Sequence, residues 1–261
     1  MTAPPALSCE RLAALPGVRH AFFTRAGGVS TGPYASFNLG AGSADDPAAV
    51  AENRRRAAAR FDAEPAALTT CFQIHSAEVL IAEAPWGETR PQDRPRADGV
   101  VTRTRGLICG ALAADCAPVL LADAEVGVVG AVHAGWRGAL AGVVEAGVAA
   151  MVSQGARPER IVAAVGPCIG PASYEVGPEF EAAFTAADPA HAAFFAPGEN
   201  DRLFFDLPAF VLTRLAAAGV RERAWIGADT FADEAAFFSN RRAVRRGEAD
   251  YGRLLSAIML A

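Results

Sequence analysis

The sequence predicts an α/β fold built as one domain, residues 1–261, with mixed strands. Three observations predict it. GLICGALAA, APVLLAD and VGVVGAVH are apolar runs broken only by Asp115-Cys116 and Ala124-Glu125, the length and punctuation of core strands. From Ala139 the apolar positions switch to Leu140, Val143, Val144, Gly147, Val148, Met151 and Val152, a helical rhythm with Gly155 where a C-cap belongs. Another apolar run, RIVAAVGP, then returns to strand character, and no internal repeat, low-complexity tract or linker divides the chain.

The remaining elements follow in order. Residues 1–45 read as strand and turn, with HAFFT followed by the glycine-heavy RAGGVSTGPYASFNLGAGS. Asp46-Pro47 supplies an N-cap and a first helical residue for a helix running to about Phe61. Within it, Arg54-Arg55-Arg56 reads as a solvated face paired with Glu52 at i+3 and i+4. CFQIH and EVLIA read as short strands, and the Pro-rich polar stretch 83–97 as a surface loop. Asp206 before Leu207-Pro208 starts a last helix that ends near Gly219.

Composition narrows the function. A hydrophobic fraction of 52% supports a sizeable core, and a net charge of −5 argues against nucleic acid or an anionic membrane as partner. All 24 basic residues are Arg. Without Lys, Schiff-base enzymes, Walker-type ATPases and protein kinases are excluded, because their chemistry needs an ε-amine. No signal peptide or membrane-length apolar run is visible, and the odd, scattered set Cys9, Cys71, Cys109, Cys116 and Cys168 suits a reducing compartment, so a cytoplasmic location is expected. Size and charge are compatible with a monomer.

Only four histidines occur, His20, His75, His133 and His191. Strand alternation in CFQIH places Gln73 and His75 on one face. In VGVVGAVH it places His133 with Ala131 and Val129, opposite Val128 and Val132. Between them lies Ala114-Asp115-Cys116-Ala117-Pro118, where Pro118 is expected to interrupt the ladder and turn the chain beside the thiol. Two imidazoles and a thiolate at strand ends form a plausible His₂Cys metal site with an open fourth position. The competing reading is ordinary: a satisfied core histidine and a cysteine acting as a small hydrophobe. After His133, Gly135 is expected to permit a tight turn, and Gly138 to admit a helix near Ala139. Trp136 suits a purine-stacking wall or plain core packing, and Arg137 an anion contact or a surface salt bridge. Asp115 reads as a ligand-orienting carboxylate or a turn residue.

The runs QIHSAEV, ADGVVT, ADCAPVLLAD, AVHAGWRG, GPCIGPASYEVG and FFSNRR, with TRAGGVSTGPYASFNLG upstream, resemble the YfiH-type family of laccase-domain, or polyphenol-oxidase-like, proteins from about Arg19 to Arg253. The resemblance implies a layered sandwich with a cysteine-hydrolase-like fold and a zinc site of His75, Cys116 and His133, which are also the expected catalytic residues. It further implies phosphorolysis of adenosine, inosine, guanosine and methylthioadenosine, and deamination of adenosine, with purine nucleosides and phosphate as partners. Arg25, Gly28 (with Gly27), Asn38 and Arg137 are the candidates for holding phosphate. The chain departs from the family pattern at Asn240, usually Tyr, and at Asp229-Thr230, where many members have Cys-Thr.

Alternatives use the same residues. A multicopper laccase needs more imidazoles than the four present, whereas a single copper at His75, Cys116 and His133 remains arithmetically possible. A metal-free hydrolase would use Cys116 as nucleophile and His133 as base. Gly28-Val29-Ser30-Thr31-Gly32 matches the serine nucleophile motif formally, but lacks the strand before and the helix after it. A non-catalytic protein that binds a nucleoside or a nucleotide precursor is the fourth reading.

Overall fold

The computed structural model describes residues 3–86 and 91–261. The chain runs β1 (Ala6–Leu7), α1 (Glu10–Ala13), β2 (Val18–Phe23), α2 (Pro47–Ala59), β3 (Leu68–Thr70) and β4 (Val79–Ile81). It continues with β5 (Gly99–Thr102), β6 (Ile108–Ala113), β7 (Ala117–Asp123), β8 (Val128–Ala134), α3 (Trp136–Ala141), α4 (Val143–Ser153) and β9 (Val162–Val165). Then come β10 (Glu175–Val176), α5 (Pro178–Ala187), β11 (Phe195–Pro197), β12 (Leu203–Phe205), α6 (Leu207–Ala217), β13 (Glu222–Trp225), α7 (Asn240–Arg246) and β14 (Leu254–Leu260).

Two mixed sheets stack face to face. One has the order β13-β9-β7-β8-β5-β4, the other β1-β2-β14-β6-β3, and a small sheet β10-β12-β11 stands apart. Strand alternation explains the layers. On β8, Val129 and Ala131 point into the core between the two sheets, beside Val18, Phe22, Cys109 and Ile258. Val128, Val132 and Ala134 point the other way, onto Val144 and Met151 of α4 and Phe210 of α6. The outer face of the second sheet, with Phe23 and Ala257, is covered by Ala57 and Ala58 of α2. The result is a helix–sheet–sheet–helix sandwich, the layered arrangement expected. Among the described residues no helix is long and apolar enough to cross a membrane.

Several local expectations hold. Asp46 caps α2 by accepting from the Ala48 N–H, and Asp206 caps α6 by accepting from the Ala209 N–H. Arg55 and Arg56 both pair with Glu52, but Arg54 turns inward and donates to the Leu39 carbonyl, so only two of the three arginines form the solvated face. The predicted loop 83–97 lies partly outside the described residues; within it, Arg94 and Ala97 are buried.

Three others are corrected. The helix predicted from Ala139 begins earlier, at Trp136, and is divided by Gly142, whose φ of 99° ends α3 and starts α4. CFQIH is not a strand: β3 stops at Thr70, and only an isolated bridge joins Phe72 to Arg96. Pro118 does not interrupt the ladder but lies within β7 opposite His133, its carbonyl accepting from the Gly166 N–H. A proline near the start of a strand costs one donor that the ladder there does not use.

Candidate metal centre

The centre is assembled at the open end of the β7–β8 hairpin. Antiparallel register sets Pro118 against His133 and Ala117 against Ala134, which brings Cys116, just before β7, beside the end of β8. The third residue comes from the loop after β3. His75 has a left-handed backbone, φ 59°, and its N–H points not at a neighbouring strand but at a carboxylate. That carboxylate explains why the alternation expected of CFQIH fails. Asp98 accepts from the N–H groups of Ile74, His75 and Ser76 and from the Ser76 hydroxyl, winding the segment into a turn.

Asp98 also reaches His133. It directly precedes β5, which pairs with β8, so its carbonyl accepts from the His133 N–H at 2.6 Å and its Oδ1 lies 2.9 Å from His133 Nδ1. One carboxylate therefore holds both the His133 ring and the backbone that carries His75. The rings of His75 and His133 sit 4.9 Å apart at 81°, and a nitrogen of each lies with Cys116 Sγ in a group whose members are all within 4.8 Å of one another. His133 is buried, Cys116 half-buried and His75 exposed.

Charge reinforces the arrangement. Burial disfavours a protonated His133, but the neighbouring Cys116 sulfur and the Asp98 carboxylate outweigh it and raise its pKa to about 9. Burial and the neighbouring His133 lower the pKa of His75. Burial opposes ionisation of Asp98 as well, yet its bonds from His133 and Ser76 hold it down at about 2.

The donor set suits a borderline metal. Two imidazole nitrogens and a thiolate match the ligand preferences of Zn²⁺ or copper. Gly135 gives an independent sign that space is reserved there. Its φ of −67° is open to any residue, so the expected tight turn is not why glycine is needed. A Cβ at this position would run into the His75 ring and lie 3.0 Å from Cys116 Sγ. Gly138 plays the matching role one turn on, where a Cβ would stand 2.8 Å from the Ser76 carbonyl oxygen.

Asp115, at φ 97°, anchors the other side of the centre. Its buried carboxylate accepts from the Thr230 and Ser239 hydroxyls and from the Arg241 N–H, docking the start of α7 beside Cys116. Asn240 thereby reaches the cleft. Asp229, the other departure from the family pattern, accepts from the Ser173 hydroxyl and the Phe231 N–H. Two cavities meet at the centre and share His75, Ala114, Cys116 and Asn240 in their walls. One, about 730 Å³, has Trp136, Arg137, Tyr174, Phe180 and Arg241 in its lining. The other, about 340 Å³, includes Gln73, Arg94, His133, Tyr251 and Arg253.

Of the four candidates for holding phosphate, Arg137 lines this cleft, with its guanidinium 4.3 Å from the Trp136 ring centroid. The other three have structural tasks that take them out of it. Arg25 donates to the Ala35 and Glu234 carbonyls, stacks on Phe238 and lines a separate cavity of about 630 Å³. Gly28 packs so closely on the Ser36 backbone that no side chain fits. Asn38 is fully buried; its amide donates to Ser43 and Asp45 and accepts from the Gly40 and Arg253 N–H groups. Ser30 is likewise buried and its hydroxyl accepts from Asn53, so the formal serine motif makes no nucleophile elbow. Asp98 is the residue that reading the sequence missed. The tripeptide Ala97-Asp98-Gly99 before an apolar run is its only local trace.

A four-layer α/β sandwich with a His–Cys–His cluster at the end of a central hairpin defines the protein's class, and solved structures share its fold. A YfiH protein of Bacillus licheniformis superposes with a TM-score of 0.87 at 26% identity, covering 94% of this chain and 93% of that one. A DUF152 protein of Neisseria meningitidis does so with a TM-score of 0.81 at 31% identity, covering 94% and 95%. The chain belongs to the family described as multi-copper polyphenol oxidoreductase laccase, whose model matches residues 19–261. Relatives bear the name purine nucleoside phosphorylase. One from Streptomyces griseus is 44% identical over 82% of this chain and 85% of its own length. One from Deinococcus radiodurans is 43% identical over 93% and 90%, and the Escherichia coli protein YfiH 40% identical over 94% of each.

Proposed function

We propose that the protein is a metal-dependent purine nucleoside enzyme that binds zinc through His75, Cys116 and His133. It phosphorolyses adenosine, inosine, guanosine and methylthioadenosine, and deaminates adenosine. The carrying observation is the convergence of those three side chains at the junction of two cavities, together with relatives named purine nucleoside phosphorylase. When bound, zinc would supply Lewis acidity and lower the pKa of a coordinated water to about 7.

The chain's own residues do the positioning. With Asp98 on Nδ1, the His133 ring is oriented so that Nε2 is left for Cys116 and the cleft. Trp136, Tyr174 and Phe180 offer aromatic walls to a base, and Arg137 offers a cation to a substrate oxygen. In phosphorolysis a phosphate oxygen forms the bond to C1′ while the C1′–N9 bond breaks, its electron pair passing to N9, where the departing purine takes up a proton. The protein's task is to hold the two reactants in line and keep water out.

A second reading is favoured by the same carboxylate. Cys116, His133 and Asp98 form the nucleophile, base and orienter of a cysteine hydrolase. Incubating the zinc-loaded protein with adenosine and phosphate separates the readings. Adenine with ribose 1-phosphate reports phosphorolysis, and inosine reports deamination. Activity that survives complete chelation selects the metal-free hydrolase instead.

A further inference from the structure

Asn240 is pinned on both flanks. The Ser239 hydroxyl donates to Asp115 Oδ2 at 3.0 Å, and the Arg241 N–H donates to the same oxygen at 2.6 Å. Ser239 in turn caps α7 by accepting from the Arg242 N–H. The Arg241 and Arg242 N–H groups at this helix start are thus already spent, so what the turn offers the cleft is the Asn240 side chain. It is half-buried and belongs to the walls of both cavities, together with His75, Ala114 and Cys116. Among the described residues its amide neither donates nor accepts a hydrogen bond. Its neighbours in the wall of the larger cavity are occupied: Arg241 donates to the Glu175 carbonyl and lies over the Tyr174 ring, and Arg245 pairs with the Glu175 carboxylate at 3.7 Å. An amide on a fixed backbone, with donor and acceptor both unused inside the chain, is set for a ligand.

We infer that Asn240 is a specificity-determining residue that hydrogen-bonds the atom carried on C6 of the purine. The inference rests on the nucleoside reading above and deepens it by naming the group that recognises the base. A carboxamide carries an NH₂ donor and a carbonyl acceptor on one pivot. Turned one way it donates to O6 of inosine or guanosine. Turned the other way it accepts from the amino group of adenosine or methylthioadenosine. An arginine could serve only the first pair and an ionised carboxylate only the second. One neutral side chain therefore accommodates 6-oxo and 6-amino purines, provided the protein does not fix its orientation, and among the described residues no hydrogen bond does. The rings of Trp136, Tyr174 and Phe180 in the larger cavity suit the faces of a base, which leaves its edge for a polar partner.

The test removes the donor and the acceptor separately. Asn240→Asp can only accept, so kcat/KM for phosphorolysis of inosine is expected to fall about tenfold relative to that for release of adenine from adenosine. Asn240→Leu can do neither, and both nucleosides should lose about tenfold together. Calorimetry with inosine in the absence of phosphate gives a readout without turnover, and both variants should bind it about tenfold more weakly than the wild type. Melting temperature and zinc content identify a variant that has lost its fold or its metal, and Asn240→Ala replaces Asn240→Leu in that event. Equal losses for inosine and adenosine in folded Asn240→Asp overturn the assignment to C6, because the amide would then hold a group that the two nucleosides share. Inosine bound equally by the wild type and the folded variants overturns it as well. Variant-dependent binding of inosine without any ribose 1-phosphate keeps the contact and overturns the phosphorolytic reading instead.

Discussion

Asp98 Oδ1 lies 2.9 Å from Nδ1 of His133, and the same carboxylate accepts the N–H of His75, so one buried side chain ties the His133 ring to the backbone of a second histidine 58 residues away. Protein hydrogen bonds thus orient the His133 ring and the turn that presents His75. Asp98→Asn keeps the shape but cannot accept from every donor, and it weakens control of the His133 tautomer. Metal affinity measured by chelator competition should fall roughly 10–100-fold, with a smaller change in stability. Asp98→Ala leaves several buried N–H groups without an acceptor and should cost about 3 kcal/mol in urea unfolding as well. Unchanged metal affinity in folded Asp98→Asn would mean the carboxylate serves the fold alone.

Gly135 and Gly142 make a crossed pair. Gly135 has an ordinary backbone conformation but no room for a Cβ beside His75 and Cys116, whereas Gly142 has φ 99° and no Cβ contact closer than 3.7 Å. Gly135→Ala should therefore abolish metal binding while leaving the melting temperature nearly unchanged. Gly142→Ala should keep the metal and lose about 1–2 kcal/mol through backbone strain. Metal content by mass spectrometry, set beside thermal melts, distinguishes the two effects.

How much of this was legible in the sequence depends on whether a residue's job is local. The strands β7 and β8, the caps at Asp46 and Asp206 and the facing of His133 follow from period and capping chemistry, and the structure keeps them. The triad itself could be singled out, because His and Cys at strand ends are chemically conspicuous. Asp98 could not be, since its partners lie 22 to 35 residues away and an Asp before a strand reads as a turn. The same limit misplaced Asn38 and Gly28. Both occupy a loop whose glycines and amide look made for an anion, yet their bonds are spent on Ser43, Arg253 and the Ser36 backbone. CFQIH failed as a strand for a related reason: a carboxylate from elsewhere captured its N–H groups.

The family description speaks of several coppers, and the chain's histidines limit that. Among the described residues, His75, Cys116 and His133 form the one group of three or more such ligands, and the two other histidines are engaged elsewhere. His20 accepts from the Cys9 N–H, and His191 Nδ1 lies 3.1 Å from the Phe184 carbonyl oxygen. Metal analysis of purified protein should give one transition metal per chain. Cys116→Ala and His75→Ala should each lower that occupancy at least tenfold at micromolar free metal, because a three-ligand site reduced to two binds far more weakly. A stoichiometry near four would contradict this.

His20 supplies a pH dependence independent of the centre. It is half-buried in β2, its Nε2 accepts from the Cys9 N–H at 2.8 Å at the head of α1, and its ring meets Phe22 edge-on. Burial, with a smaller contribution from the Arg60 charge, depresses its pKa from 6.5 to about 4. The folded state thus holds His20 neutral over a range in which the unfolded chain protonates it. Stability from this residue is fully present above pH 6.5 and is lost as the pH falls toward 4, the unfolded state binding the extra proton throughout that window. A full shift of this size would correspond to about 3 kcal/mol, and partial exposure reduces it to on the order of 1–2 kcal/mol. Urea unfolding at pH 7 and at pH 4.5 should show that loss in the wild type and a smaller one in His20→Gln, which can still accept from Cys9 but does not titrate. Equal losses in both would place the acid sensitivity elsewhere in the chain.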